Sequence, residues 1–379
     1  MAKSPAELAS LIAVGGRFEL RAGGTKQGLG RPVAGATVLD MSGFTGISLY
    51  EPDELVLEAG PATSLAEIEK TLSKHNQQLA FEPPDYSRLL GSNSSGSLGG
   101  LVACGLAGPR RIKAGAVRDH ILGIAGVSGR GEVFKAGGRV VKNVTGFDIS
   151  KLMVGAHGTL AALTSITLKV LPAAATEETL LLRGLTDVRA VQAMGLAMQS
   201  DCEVSGAAHL PGDMTLLRLE GVGPSVSYRR DRLASLLKEF GRSDVLVEKQ
   251  SRQQWMEIRD VHLLAKGRHA HVWRLSVIPS KSPEIIADIT RKLDVNYFMD
   301  WAGGLIWIAV PATADASAGL IRGSFADGHA TLIRASAEVR ARIDVFQPQA
   351  RALSELTARV KTSFDPSHVL NPGRMYKDI

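Results

Sequence analysis

The residues with the clearest potential for chemistry lie in glycine-rich loops. The first loop follows an alternating stretch at residues 18–22 and reads GGTKQGLG at 23–30. Small residues leave backbone N–H groups accessible, and several such donors together bind an anion. Arg21, Lys26 and Arg31 add positive charge to the same loop. The pattern predicts either a phosphate-binding loop or an ordinary hairpin turn.

A second candidate region runs from residue 140 to residue 172. Lys142 and Asn143 begin a polar loop, and a glycine loop with the sequence GAHGT follows at 155–159. Apolar residues then alternate over 163–170, which predicts a strand with one buried face. Because glycine lets a backbone lie close to a flat ligand, the region favours a ligand-binding surface. Two ordinary turns are the alternative.

A third stretch, GSNSSGSLGGLVACGLAG at 91–108, is rich in glycine and carries no charged residue. Its leucines require burial, while its glycines disfavour a stable exposed helix. We therefore expect a compact loop that packs against a ligand, with Cys104 as a small buried apolar residue.

The usual nucleotide and metal motifs do not occur in the sequence. There is no GxGxxG and no GxxxxGK[ST], so neither a Rossmann turn nor a P-loop is predicted. His269 and His271, with Glu257 and His262 nearby, could form a metal site or a solvated strand face, and we favour the second interpretation. No HExxH and no Cys/His quartet is present, and no metal is predicted.

Composition limits the function classes. The 379 residues are enough for two or three domains, and 45% hydrophobic residues with 22% charged residues are typical of a soluble globular protein. A net charge of +6, without a block of five basic residues, indicates local anion sites and no nucleic-acid surface. No apolar run reaches the roughly 20 residues of a membrane span. Two cysteines and a poor secretory signal at the N-terminus predict a cytoplasmic protein.

Secondary-structure patterns divide the chain near residue 173. A hairpin is predicted at 121–127 and 132–136, and a capping box at Ser64–Glu67 opens a helix. The segments at 177–184, 188–198, 204–209, 214–219 and 227–240 predict a β-α-β-β-α pattern. Helices are predicted at 337–346 and 350–364. Arg274 could bind a carboxylate or lie on the surface beside a buried tryptophan.

Taken in order, these stretches resemble the FAD-linked oxidases of the vanillyl-alcohol-oxidase (PCMH) type. The resemblance includes SLGGLVACGLAGPRR at 97–111, VRDHILG at 117–123, KNVTGFDISKLMVGAHGTL at 142–160 and FDPSHVLNPGRMY at 364–376. Within this group the chain is similar to the FAD-binding subunits of bacterial glycolate oxidases. Many relatives carry a longer first loop rich in Ser, Thr and Gly, whereas Lys26 and Gln27 stand here.

The resemblance implies an α+β fold and a cofactor. The expected domains are a PCMH-type FAD-binding domain of two subdomains at 1–172, an α+β cap at 173–336 and a helical segment at 337–379 that returns to the flavin domain. The cofactor is expected to be FAD, held without a covalent bond. The residues implied to contact it are Ala22, Gly23, Gly24, Thr25, Lys26, Gln27, Leu98, Gly99, Gly100, Ala103, Gly105, Gly108, Lys142, Asn143, Gly146, Gly158, Thr159 and Leu160.

The implied function is oxidation of a small 2-hydroxy acid, glycolate or D-lactate, in a complex with a homologous FAD subunit and an iron–sulfur subunit. An iron–sulfur cluster ordinarily needs four cysteines, and this chain has Cys104 and Cys202. Membrane contact is expected only through partners, at the inner membrane. The alternatives are a non-catalytic electron-relay subunit and a stand-alone oxidase that uses oxygen. No catalytic residue is predicted, since His157 could equally be a turn residue.

Overall fold

A computed structural model describes residues 1–139, 147–267 and 270–377. Its strands are β1 Phe18–Arg21, β2 Thr37–Asp40, β3 Ile47–Glu51, β4 Val56–Ala59, β5 Gln77–Gln78, β6 Ile121–Ser128, β7 Val133–Gly137, β8 Ala161–Lys169, β9 Leu171–Pro172, β10 Thr176–Arg183, β11 Gly206–Leu210, β12 Met214–Gly221, β13 Ser243–Val247, β14 His271–Val277, β15 Asn296–Asp300, β16 Leu305–Val310 and β17 Gly328–Arg334.

Helices and strands are both present along the chain, which confirms the predicted α+β class. They are α1 Pro5–Ala13, α2 Leu65–Ser73, α3 Ser87–Leu90, α4 Leu98–Cys104, α5 Arg111–Ala114, α6 Val117–His120, α7 Ile149–Met153, α8 Asp187–Gln199, α9 Gly223–Leu236, α10 Glu248–Arg259, α11 Ser282–Thr290, α12 Ala318–Gly323, α13 Ala337–Arg342 and α14 Arg351–Phe364.

The chain folds into two compact units, each built from separate segments. The first unit comprises Met1–Leu106, Gly115–Pro172 and Asp344–Ile379, and the second comprises Ala107–Ala114 and Ala173–Ile343. This division differs from the predicted domains at 107–114 and at 337–343, which both belong to the second unit. The first difference has a clear cause, because the Arg110 guanidinium donates two hydrogen bonds, of 3.0 and 2.9 Å, to the carboxylate of Glu220.

The first unit contains an antiparallel sheet in the order β3-β4-β8-β6-β7 and a parallel pair, β1 and β2. β6 and β7 form the predicted hairpin, and β8 is the predicted alternating strand. Helix α1 packs against this hairpin and buries Leu8 and Ile12. Val369 and Leu370, near the C-terminus, belong to the same hydrophobic cluster. The core of the first unit therefore needs both ends of the chain.

The prediction of a loop at 91–108 is wrong for residues 98–104, which form helix α4. Ser97 caps the helix, since its hydroxyl accepts a hydrogen bond of 3.3 Å from the N–H of Gly100. Leu98, Leu101 and Val102 are fully buried, and burying such side chains is worth about 1.5–3 kcal/mol each. That gain exceeds the cost of glycine in a helix, which is about 1 kcal/mol per residue.

The second unit is built on an eight-stranded sheet in the order β13-β10-β12-β11-β15-β16-β14-β17. Helices α8, α9 and α10 pack against its strands. The predicted β-α-β-β-α pattern is confirmed as β10, α8, β11, β12 and α9. Helix α14 also begins and ends close to its predicted limits, whereas α13 is shorter than predicted, because the backbone is already extended at Ile343 (φ −107°, ψ 163°).

Candidate functional site

A cavity of about 960 Å³, which includes the space at its open mouth, lies within the first unit. The cavity is formed by the loop after β1, the first turns of α4, the loop before β8 and the C-terminal segment. The predicted site residues that line it are Ala22, Gly23, Gly24, Thr25, Lys26, Gln27, Gly99, Gly100, Ala103, Gly158 and Leu160.

Four of the other predicted residues are described by the structure and do not line this cavity. Leu98 and Thr159 are buried in the surrounding wall, and Gly105 ends helix α4 with φ of 60°. Gly108 belongs to the second unit, where its carbonyl oxygen accepts a 3.1 Å hydrogen bond from Nε1 of Trp301. The remaining predicted residues, which lie outside the described part of the chain, are Lys142, Asn143 and Gly146.

Sequence reasoning missed several lining residues: Met41, Pro61, Ser97, Cys104, Met153, Ala156, His157, Asn371 and Arg374. For Asn371 and Arg374 a signal existed, because the NPGR motif was expected to return to the flavin domain. The others reach the cavity through packing between distant elements, and no local pattern marks them.

Lys26 supplies a positive charge to the cavity wall. Burial lowers the pKa of its ammonium group, while the charges of Cys104 and Asp85 raise it. A Cβ atom at Gly96 would overlap Lys26 Nζ, and one at Gly100 would lie 3.3 Å from Lys26 Cδ. Within the described residues, the ammonium group makes no hydrogen bond and no ion pair. A desolvated cation of this kind is costly unless an anion faces it.

His157 lies in the cavity wall with a left-handed backbone, φ 50°. Its N–H donates to the carbonyl of Ala103 at 2.8 Å, and its ring packs edge-on against Phe346. Burial, with a smaller contribution from the charge of Arg374, lowers the pKa of the imidazole to about 3. The ring is therefore neutral near pH 7 and is a weak proton acceptor.

Cys104 lies beside this ring, with its Sγ atom 3.8 Å from Nδ1 of His157. Burial raises the pKa of the Cys104 thiol. The thiol is therefore protonated near pH 7, which makes it a poor nucleophile.

The cavity as a whole fits a flat dinucleotide that carries a diphosphate. Glycine backbones form much of its wall, and a partly desolvated cation faces it. Arg21 and Arg374 add further positive charge, with Glu19 as their carboxylate partner at 2.7 and 3.5 Å. A dianionic group is thus favoured by charge as well as by space.

In the second unit, two arginines lie over one indole ring. The guanidinium carbons of Arg111 and Arg274 are 4.5 and 5.2 Å from the ring centroid of Trp301. This is cation–π geometry, and it gives Arg274 a packing role. The hypothesis that Arg274 binds a carboxylate stays a prediction.

The histidines considered for a metal have other contacts. His271 Nε2 is 2.9 Å from the carbonyl oxygen of Thr313, and His262 Nδ1 is 3.2 Å from a carboxylate oxygen of Glu257. His269 lies outside the described residues. Among the residues that the structure describes, no three His, Cys, Asp or Glu side chains are arranged to hold a metal.

Comparisons with known proteins identify the family of the chain. The family model described as "FAD binding domain" matches residues 1–137. The chain is 34% identical over 360 residues to glycolate oxidase subunit GlcE of Escherichia coli, covering 94% of this chain and 91% of that protein. It is 28% identical over 154 residues to the D-lactate dehydrogenase of Archaeoglobus fulgidus, covering 40% of this chain and 33% of that protein.

Among solved structures, p-cresol methylhydroxylase has the same fold, with a TM-score of 0.75 and 13% identity, covering 98% of this chain and 87% of that chain. The chain therefore belongs to the GlcE family of FAD-linked oxidoreductases, in the PCMH fold group. Its cofactor is FAD, as expected from the sequence. Within the described residues, no helix has the length and apolar character needed to cross a lipid bilayer.

We expect the FAD to be held without a covalent bond. Cys104 and His157, the Cys and His side chains that line the cavity, are a protonated thiol and a weakly basic imidazole. Precipitating the FAD-loaded protein with acid should therefore leave the yellow colour in the supernatant, and the intact mass should equal that of the polypeptide alone. Colour that stays in the pellet, with a mass increased by one FAD, would refute this expectation.

Proposed function

We propose that this chain is the FAD-bearing subunit of a complex that oxidises a 2-hydroxy acid, with glycolate as the favoured substrate, and passes the electrons to an iron–sulfur subunit. The observation that carries the proposal is the nearly end-to-end similarity to GlcE, at 34% identity over 94% of this chain. A similarity that spans both units supports a shared role for the whole chain, and not only a shared cofactor.

The cavity supports a specific placement of FAD. The residues from Ala22 to Gln27, which line the cavity, would hold the diphosphate, with Lys26 as a charged donor. By the family resemblance, Gly99, Gly100 and Ala103 would line the adenosine and the flavin, and Gly158 and Leu160 would approach the flavin side. When bound, FAD supplies the hydride-accepting chemistry, while the chain orients the cofactor and excludes water from it. The roles of Gly108, Lys142, Asn143 and Gly146 rest on the family resemblance.

Electrons must leave the reduced cofactor through another molecule. Cys104 and Cys202 belong to different units, and two cysteines are too few for a cluster that ordinarily has four cysteine ligands. We therefore assign the next electron carrier to a separate iron–sulfur subunit. A homologous FAD subunit completes the proposed complex, and the partners provide its membrane contact.

A non-catalytic relay role is the second candidate function. The observation that favours it is the weak basicity of His157, whose imidazole has a pKa of about 3. Oxidation of a 2-hydroxy acid needs an acceptor for the hydroxyl proton, and an imidazole with this pKa is a poor one near pH 7. In this alternative the homologous FAD subunit oxidises the substrate.

One experiment separates these functions. Anaerobic FAD-loaded protein is mixed with glycolate or D-lactate, with and without the purified partner subunits. Bleaching near 450 nm (a wavelength common to flavins) by the isolated chain would support direct oxidation, whereas bleaching only with the partners would support the relay.

Reoxidation tests the proposed electron partner. The reduced chain should react slowly with air-saturated buffer and quickly with an added iron–sulfur subunit. Rapid reoxidation by oxygen alone, with one peroxide formed per flavin, would instead identify a stand-alone oxidase.

A further inference from the structure

We propose that the segment from Lys361 to Arg374 is a latch that completes the FAD site, and that Asn371 is the residue that positions its two glycine loops. The segment belongs to the first unit, and Asn371 and Arg374 line the cavity. The inference goes beyond the proposed function, since it concerns FAD binding and does not depend on the substrate or on the electron partner.

The side chain of Asn371 joins two loops that are far apart in sequence. Its Oδ1 accepts a 2.9 Å hydrogen bond from the N–H of Leu20, in β1, three residues before the first glycine loop. Its Nδ2 donates a 2.7 Å hydrogen bond to the carbonyl of His157, in the loop before β8. Leu20 and His157 both line the cavity. One amide group therefore sets the distance between two walls of the FAD site.

Gly158 makes room for this amide. A Cβ atom at Gly158 would lie 2.7 Å from Asn371 Nδ2, and the backbone of Gly158 is left-handed, with φ of 68°. Asn371 itself has φ of 42°, a conformation that asparagine tolerates better than most residues. The amide and the glycine thus form a close-packed pair at the cavity wall.

The backbone around Asn371 is fixed to β1. The N–H of Phe18 donates to the carbonyl of Val369 at 2.7 Å, and the N–H of Asn371 donates to the carbonyl of Phe18 at 2.8 Å. These bonds form a parallel bridge between Phe18 and Leu370. This single bridge fixes the latch beside β1, and Asn371, the next residue, has its side chain at the cavity.

A buried ion pair holds the start of the latch. Lys361 Nζ is 2.5 Å from Asp365 Oδ2, and both side chains are fully buried. The two oxygens of Asp365 also accept hydrogen bonds from the N–H groups of Val369 and Leu370, at 2.9 and 2.8 Å. This carboxylate therefore fixes the backbone immediately before Asn371.

The other end of the latch is held at the end of the first glycine loop. The N–H of Arg31 donates to the carbonyl of Arg374 at 2.8 Å, and the Arg374 guanidinium donates to the carbonyl of Arg31 at 3.3 Å. The residues on either side of the first loop are thus bound, Leu20 by Asn371 and Arg31 by Arg374. Its shape in between, where Lys26 lies, depends on the latch.

The test compares Asn371→Ala and Asn371→Asp with the unaltered protein. Alanine removes both hydrogen bonds, whereas aspartate keeps an acceptor for Leu20 but places a charge against the carbonyl of His157. We expect each variant to weaken FAD binding by about tenfold or more, since an unsatisfied buried group costs on that order. The measurement is the FAD dissociation constant from fluorescence titration, together with the thermal unfolding of the FAD-free protein.

Asn76 provides a matched control, because it is an exposed asparagine of the same unit with a similar φ of 52°. Asn76→Ala and Asn76→Asp should leave FAD affinity unchanged. If Asn371→Ala does not fold, Gly158→Ala tests the same contact, and we expect it to weaken FAD binding in the same direction. Unchanged FAD affinity in Asn371→Asp, or a loss only in the stability of the FAD-free protein, would overturn the proposal.

Discussion

Asp365→Ala is expected to destabilise the first unit by about 3–5 kcal/mol, because it leaves a buried ammonium group without its carboxylate. Lys361 Nζ would retain only the carbonyls of Thr159 and Leu370, now at 2.6 and 3.0 Å. Two backbone N–H groups would also lose their acceptor. The loss should appear as a lower denaturant midpoint, followed by circular dichroism and by release of FAD.

Lys361→Met should cost less than Asp365→Ala, since a carboxylate that keeps two backbone donors can also take up a proton. The double variant should be more stable than the sum of the two single losses predicts, because each single change leaves a partner unpaired. Asp53→Ala, at an exposed position in the same unit, serves as the control and should change stability by no more than about 0.5 kcal/mol. If the stability losses of the two single variants simply add in the double variant, Lys361 and Asp365 do not stabilise each other as proposed.

The stability of Asp365→Ala should rise with pH. Burial lowers the pKa of Lys361 from 10.5, and the Asp365 carboxylate opposes that shift. Without the carboxylate, the folded state binds the proton more weakly still, so the unfolded state holds more protons below pH 10.5. Raising the pH towards that value should therefore recover part of the lost stability.

Lys26→Met is expected to weaken FAD binding by about 10- to 100-fold, the range for losing a hydrogen bond to a charged group. The ammonium group faces the cavity, and burial already lowers its pKa. Lys26→Glu should bind FAD more weakly still, because it sets a negative charge against the diphosphate. The FAD-free form of Lys26→Met should be at least as stable as the unaltered protein, since a desolvated charge has been removed.

The dependence on salt gives a second measure of the same effect. FAD affinity of the unaltered protein should fall as ionic strength rises, and that slope should be smaller in Lys26→Met. Lys70→Met, at an exposed position on α2, should change neither the affinity nor the slope. Equal FAD affinity in Lys26→Met and the unaltered protein would show that backbone donors alone hold the diphosphate.

Most of the correctly predicted elements were predicted from the regular spacing of apolar residues in the sequence. β8, the hairpin of β6 and β7, and the first part of the second unit follow from alternation and helical spacing in single stretches. Helix α4 was not predicted, because its glycines disfavour a helix. Only the burial of Leu98, Leu101 and Val102 reverses that preference. Such tertiary burial is not visible in a local window.

Part of the cavity lining was predictable from glycine-rich loops, as at Gly23, Gly24 and Gly158. The roles of Asn371 and of the buried pair Lys361 and Asp365 depend on contacts between the two ends of the chain. In sequence, Lys361 is an ordinary polar residue of an amphipathic helix. Its burial follows from the carbonyls of Thr159 and Leu370, which no spacing rule connects to it.

The discontinuous first unit also determines when the protein can bind its cofactor. The hydrogen bond between Leu20 and Asn371 joins residues 351 positions apart. At about 5–20 residues per second, a ribosome needs roughly 20–70 s to synthesise that length of chain. During this time the residues of the first glycine loop have emerged, but the segment that shapes the loop does not yet exist. We therefore expect FAD capture to be a post-translational step, with the second unit already synthesised before the first can close.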